Sequence, residues 1–154
     1  MSKIITKITS PLISGYYSQW KKSTLDRVEL FNSKVDRIIK RLDLPKSVEL
    51  RVRAIPSRMQ ASGIAYPPEF KNGKYVVDVD ARQSDRSFFH TLLHELVHVE
   101  QYYTDKLIIG DYKIFWKGKL YDPVHDVHSS AYGQTPWEKE ANRKAKKLYK
   151  FLKA

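Results

Sequence analysis

The sequence predicts a single α+β domain. Three observations predict it: helix-period and strand-period segments form separate runs along the chain, turn signals divide them, and one apolar helix carries two histidines four residues apart. The chain has 154 residues, of which 42% are apolar and 29% charged. That is enough to close one hydrophobic core. Residues 1–20, rich in Ser, Thr and Tyr, read as a loosely held arm, and residues 21–154 as the domain.

The elements follow in order. Leu25, Val28, Phe31, Val35, Ile38 and Leu42 recur at steps of three and four, which predicts an amphipathic helix over 24–42. Ser23 caps its start, and Leu44-Pro45 stops it. Over 47–55, Val48, Leu50, Val52 and Ala54 alternate with Glu49, Arg51 and Arg53, the pattern of a half-buried strand. A short strand is expected near Gly63–Tyr66, before Pro67-Pro68. Asn72-Gly73 is a turn signal, and Tyr75–Val79 reads as the returning strand. Ser84 or Asp85 caps a second helix that runs to about Tyr103. Tyr112–Trp116 and Lys119–Tyr121 form a hairpin around Gly118, packing rather than offering a base-stacking platform. Thr135-Pro136 opens the last helix, with proline at its first position.

Composition excludes several classes of function. There is no cysteine, so disulfides, thiolate zinc sites, iron–sulfur clusters and cysteine nucleophiles are ruled out. No stretch is apolar enough for a membrane-spanning helix. Lys7 and Ser10-Pro11 break the N-terminal apolar run, which leaves no signal-peptide core and makes a cytoplasmic site the expectation. The net charge is +11 and unevenly spread: residues 1–60 carry +8, residues 135–154 carry +5, and the middle carries −2. Basic flanks of this kind serve either as a solubilising surface or as a contact for nucleic acid.

The chemistry lies in His94-Glu95-Leu96-Val97-His98. Histidines four apart on a helix stand about 40° apart, one turn above the other. Both imidazoles then reach one zinc ion. Glu95 stands roughly 100° around the helix, beside water held by the metal, and accepts its proton. His90 continues the series but drifts around the helix, and reads as a packing or rim residue.

A catalytic zinc needs a third protein ligand and an open position. Positions 101 and 104 are Gln and Thr, so the H-E-x-x-H-x-x-G-x-x-H pattern is absent. The candidates are His125, His128, Glu138 and Glu140. In the last helix, Ala141, Ala145, Leu148 and Leu152 form an apolar stripe, and Glu138 falls on it. A carboxylate there needs a partner, and zinc supplies one. The competing role is a capping box with Thr135. Glu140 lies about 200° from Glu138, on the polar face, where it pairs with Lys144 in an exposed i, i+4 ion pair. Asn142, one turn after Glu138, faces the same way and is expected to hydrogen-bond a ligating imidazole.

His94-Glu95-Leu96-Val97-His98, followed by Pro136-Trp137-Glu138-Lys139-Glu140-Ala141-Asn142, resembles the gluzincin metallopeptidases, most of all the minimal, phage- and bacteria-associated minigluzincins. The resemblance spans roughly 47–152. It implies a zincin-like fold, with a small mixed β-sheet packed on the zinc helix and further helices around them. It also implies one zinc held by His94, His98 and Glu138, Glu95 as general base, and Asn142 in the supporting position. The implied reaction is hydrolysis of a protein or peptide substrate. The implied sheet has an edge strand that holds extended substrate, and Tyr75–Val79 is the expected edge. A weaker resemblance to the SprT and Spartan proteases rests on the helix motif and the basic flanks. In those proteins the third ligand is a histidine closer behind the motif.

For the oxyanion, His125 or His128 in the Asp122–His128 loop competes with Tyr132 and Tyr121. The rival function of another class is a basic nucleic-acid-binding protein with a structural or vestigial metal site.

Overall fold

The computed structural model describes residues 7–9, 22–45, 47–56, 59–68, 73–121 and 135–154. They form a mixed α+β structure of three helices and two small sheets. Strands β1 (Lys7–Thr9), β2 (Glu49–Ile55), β3 (Gly63–Ala65) and β4 (Lys74–Asp80) form one sheet in the order β1-β2-β4-β3. β1 and β4 both run parallel to β2, and β3 runs antiparallel to β4. Strands β5 (Leu107–Gly110), β6 (Lys113–Trp116) and β7 (Lys119–Tyr121) form an antiparallel meander. The helices are α1 (Lys22–Arg41), α2 (Asp85–Tyr103) and α3 (Pro136–Lys153).

The alternation in β2 and β4 decides which face is covered. Leu50 pairs with Tyr75, Val52 with Val77 and Ala54 with Val79, and all six are buried in the core. The opposite face is polar: Arg53 grips Asp78 through two hydrogen bonds of 2.6 and 2.8 Å, and the Tyr66 hydroxyl donates to the same carboxylate at 2.8 Å.

β4 is not the edge that the family resemblance implies. It is flanked on both sides, by β2 and β3, and the edge beside α2 is the short strand β3. A strand paired on both sides cannot accept a further one. The more continuous apolar run of β4, against the small residues of β3, reflects that central position.

Phe31, Val35, Ile38 and Leu42 of the predicted α1 stripe are buried. The side chains of Leu25 and Val28 lie outside the described residues. Asp43 (φ 53°) ends the helix, with Asp43 N–H bonded to the Lys40 carbonyl and Leu44 N–H to that of Ile39. This is a left-handed cap of the Schellman kind. Buried Arg27 ties α1 to the start of α2, donating to the Ala81 and Gln83 carbonyls at 2.9 and 2.6 Å and to Asp85 at 2.6 Å.

Lys7–Thr9, within the expected arm, form β1 at the far edge of the sheet. The hairpin around Gly118 closes with Lys117 and Gly118 both at positive φ, 49° and 82°, as a two-residue hairpin turn requires. β5 adds a third strand to it that the sequence pattern does not predict. Among the described residues no helix is long and apolar enough to cross a membrane.

Candidate functional site

α2 is the central helix of the domain. It starts at Ser84, whose hydroxyl accepts the Ser87 N–H at 3.3 Å, and it packs against β3, β4, β5 and α3. Phe88, Leu92, Leu93, Leu96 and Val97 are buried, and each large apolar side chain contributes about 1.5–3 kcal/mol. Among them sit buried polar residues Glu95, His98, Glu100 and Gln101. Such groups persist only where they are satisfied.

Their partner is α3. Ala141, Ala145, Leu148 and Leu152 are buried, and the same stripe brings Glu138 onto the histidines. Glu138 Oε2 lies 2.8 Å from His94 Nε2, and Oε1 lies 3.2 Å from His98 Nε2. The two Nε2 atoms are 3.2 Å apart. Ligand atoms placed tetrahedrally around one zinc would be about 3.3 Å from each other. Two imidazole nitrogens and the Glu138 carboxylate, one oxygen towards each ring, are therefore gathered in one place, with one ligand atom from each residue within 4.8 Å of the others, and they are the one His, Asp and Glu group able to hold a metal ion among the described residues. Thr135 makes no side-chain cap bond, so the capping box does not form.

Gln101 organises this set. It is fully buried, and its Oε1 lies 2.7 Å from His98 Nδ1. Its Nε2 donates to the Trp137 carbonyl at 3.0 Å and to Glu140 Oε1 at 3.2 Å. Both of those groups only accept, so the amide nitrogen must face them and the oxygen must face His98. His98 therefore carries its proton on Nδ1 and presents a lone pair at Nε2 when neutral. In the sequence alone, Gln101 shows only as the residue that stands where the H-E-x-x-H-x-x-G-x-x-H pattern has glycine. The available signal was a polar side chain one turn after His98 on the buried face of α2. Gln101→Leu is expected to weaken zinc binding by about 10- to 100-fold, measured by competition with a chelating dye.

The electrostatics agree. Burial opposes protonation of His98, but the hydrogen bond and charge of Glu138 outweigh it and the pKa rises. Burial also opposes ionisation of Glu138, yet the two imidazoles hold it down at about 2. The signs are opposite. Stability contributed by Glu138 is present above 4.5 and lost as pH falls toward about 2. Stability contributed by His98 is present below 6.5 and lost as pH rises through its raised value. Chelator-treated protein should thus melt highest between pH 4.5 and 6.5, checked by thermal melts across pH.

Glu95 points to the sheet. Its carboxylate accepts the Ala65 N–H, and burial raises its pKa against the pull of His98 and His94. Gly63 of β3 leaves the space for this. A Cβ there would lie 2.5 Å from Thr91 Cγ2 and 3.0 Å from Glu95 Cγ. Gly63→Ala is expected to destabilise by about 1–3 kcal/mol, with Thr91→Ser recovering part of the loss in denaturant titrations.

A cavity of about 690 Å³ opens over these groups. β3 forms one wall, and His90, Trp137, Asn142 and Lys146 line it as well. Along β3, Ser62 accepts from Asp80 and Tyr66 donates to Val76, so the alternate residues Gly63 and Ala65 turn their backbone groups away from β4. The Ala65 carbonyl accepts the Tyr102 hydroxyl at 3.1 Å, and Gly63 borders the cavity.

The other candidate residues fall as follows. Asn142 lines the cavity but is exposed, and the imidazole bond expected of it is made by Gln101. Glu140 does face Lys144, at 3.7 Å, but it is not exposed: its side chain is 11% accessible and bonded to Gln101. The α2 side chain reaches over it, which a single-helix projection does not register. His90 stacks on Tyr149 with ring centroids 4.2 Å apart, as a rim residue. Tyr121 packs edge-on against Trp137 at 5.3 Å. His125, His128 and Tyr132 lie outside the described residues.

Comparison with protein-family models, with curated proteins and with solved structures gives no match.

Proposed function

We propose that this chain is a zinc metallopeptidase with a zincin-like fold of the gluzincin type, similar to the minigluzincins. The observation that carries the reading is the convergence of His94, His98 and Glu138 from two helices, with buried Glu95 beside them in an open cavity.

His94, His98 and Glu138 would hold the ion, and Gln101 fixes His98 so that Nε2 faces it. When bound, zinc supplies Lewis acidity that lets water act as a nucleophile near neutral pH. Glu95 does the proton work. Its raised pKa makes the carboxylate a better acceptor, and the Ala65 N–H keeps it aimed. It takes a proton from the attacking water and returns it to the leaving amine nitrogen. Gly63 offers an N–H and a C=O to an extended peptide, so β3 takes the substrate-binding role first expected of Tyr75–Val79.

The test is incubation of zinc-reconstituted protein with a mixed peptide library, with products read by mass spectrometry. Cleavage that stops on chelation and returns with zinc is the expected result. An intact library, or cleavage indifferent to chelation, would remove the proposal.

A further inference from the structure

α3 has a second face that the metal cluster does not use. Lys139, Arg143, Lys146, Lys147, Lys150 and Lys153 are all exposed. At 3.6 residues per turn they fall within one sector about 120° wide, opposite the buried alanines and leucines, and they extend about 21 Å along the axis. No carboxylate interrupts them. The two acidic residues of α3 are both turned inward, Glu138 to the histidines and Glu140 to Gln101. Lys144, on the inner flank, is neutralised by buried Glu100 at 2.8 and 3.0 Å. None of the six outward cations has an ion-pair partner among the described residues.

This differs from ordinary surface charge. α1 interleaves Asp26, Glu29 and Asp36 with its cations. In the β5–β7 meander, Asp111 and Lys113 lie at one end and Lys117 and Lys119 at the other, so its lysines form no continuous row. Among the described residues only α3 has a long single-sign row, and holding like charges one turn apart costs helix stability unless an external anion answers them.

We infer that the exposed face of α3 docks on the sugar–phosphate backbone of double-stranded nucleic acid. The row is linear, and along a duplex each strand carries a phosphate for every 3.4 Å or so of the helix axis. The stripe therefore matches about six successive steps. An anionic membrane fits less well, because the apolar face of α3 is buried in the core and has nothing to insert. A straight row of like cations matches the regular phosphate charge of the backbone, so the contact is expected to be largely independent of sequence. Lys146 belongs both to the row and to the cavity wall, so a docked duplex would run along the rim of the cleft.

The experiment is fluorescence anisotropy of the full chain with a mixed-sequence DNA duplex between 50 and 200 mM salt. Three proteins are compared: wild type, Arg143→Gln/Lys147→Gln/Lys150→Gln, and Lys113→Gln/Lys117→Gln/Lys119→Gln, which removes the same charge from the meander. Six phosphate contacts predict a log–log salt slope of about −5 and a loss of about 10³ in affinity across that range. The α3 triple variant should bring the slope to about −3, and the meander variant should retain the wild-type slope. Equal losses in both variants would reduce the effect to net charge and overturn the assignment. So would an absence of duplex binding at 50 mM salt, or binding to vesicles of phosphatidylcholine and phosphatidylserine in place of duplex. Zinc content, measured on the same samples, reports separately on the metal cluster.

Discussion

Glu95→Gln is expected to keep zinc and to lower peptide hydrolysis by about 10²- to 10⁴-fold. The substitution is nearly isosteric, and Gln can still accept the Ala65 N–H through its carbonyl oxygen. What it loses is the ability to take a proton. The three candidate ligands are untouched, so metal affinity should stay near that of wild type. The checks are kcat/KM on zinc-reconstituted protein and zinc content of the same sample. Full activity in the variant would take the general-base role from Glu95.

The second large effect is on stability. Zinc that binds the folded chain and not the unfolded one stabilises by about 2.7 to 4.1 kcal/mol at 100 to 1,000 times its Kd. For a domain of this size that raises Tm by about 5–15 °C. The gain is large because Glu138, His94 and His98 are already within 3.2 Å of one another and little reordering is needed. Glu138→Ala should abolish the shift. Differential scanning calorimetry with and without zinc measures it, and an equal shift in the variant would place the ion elsewhere.

Much of this was legible in the sequence because it is local. The span of α2 follows from Ser84 and from an apolar period that runs to Tyr103. Glu138 could be singled out because a carboxylate on the Ala141–Leu152 stripe violates the pattern around it. What was missed depends on contacts between elements. Gln101 looks inert until Trp137 and Glu140 of α3 are set against it. Glu140 sits at the border of its helix projection, and only the approach of α2 turns it inward. The order of β3 and β4 could not be read, because pairing partners are set by the path of the chain and not by either strand. β1 and β5, of three and four residues, are too short to show a period.

The central claim is that two helices assemble one zinc site from His94, His98 and Glu138. Elemental mass spectrometry of tag-free protein, reconstituted with zinc and desalted, tests it most directly in wild type and Glu138→Ala. The account predicts about one zinc per chain in wild type, as a three-ligand site requires, and none in the variant. No zinc in wild type, or the same zinc in both, would contradict it.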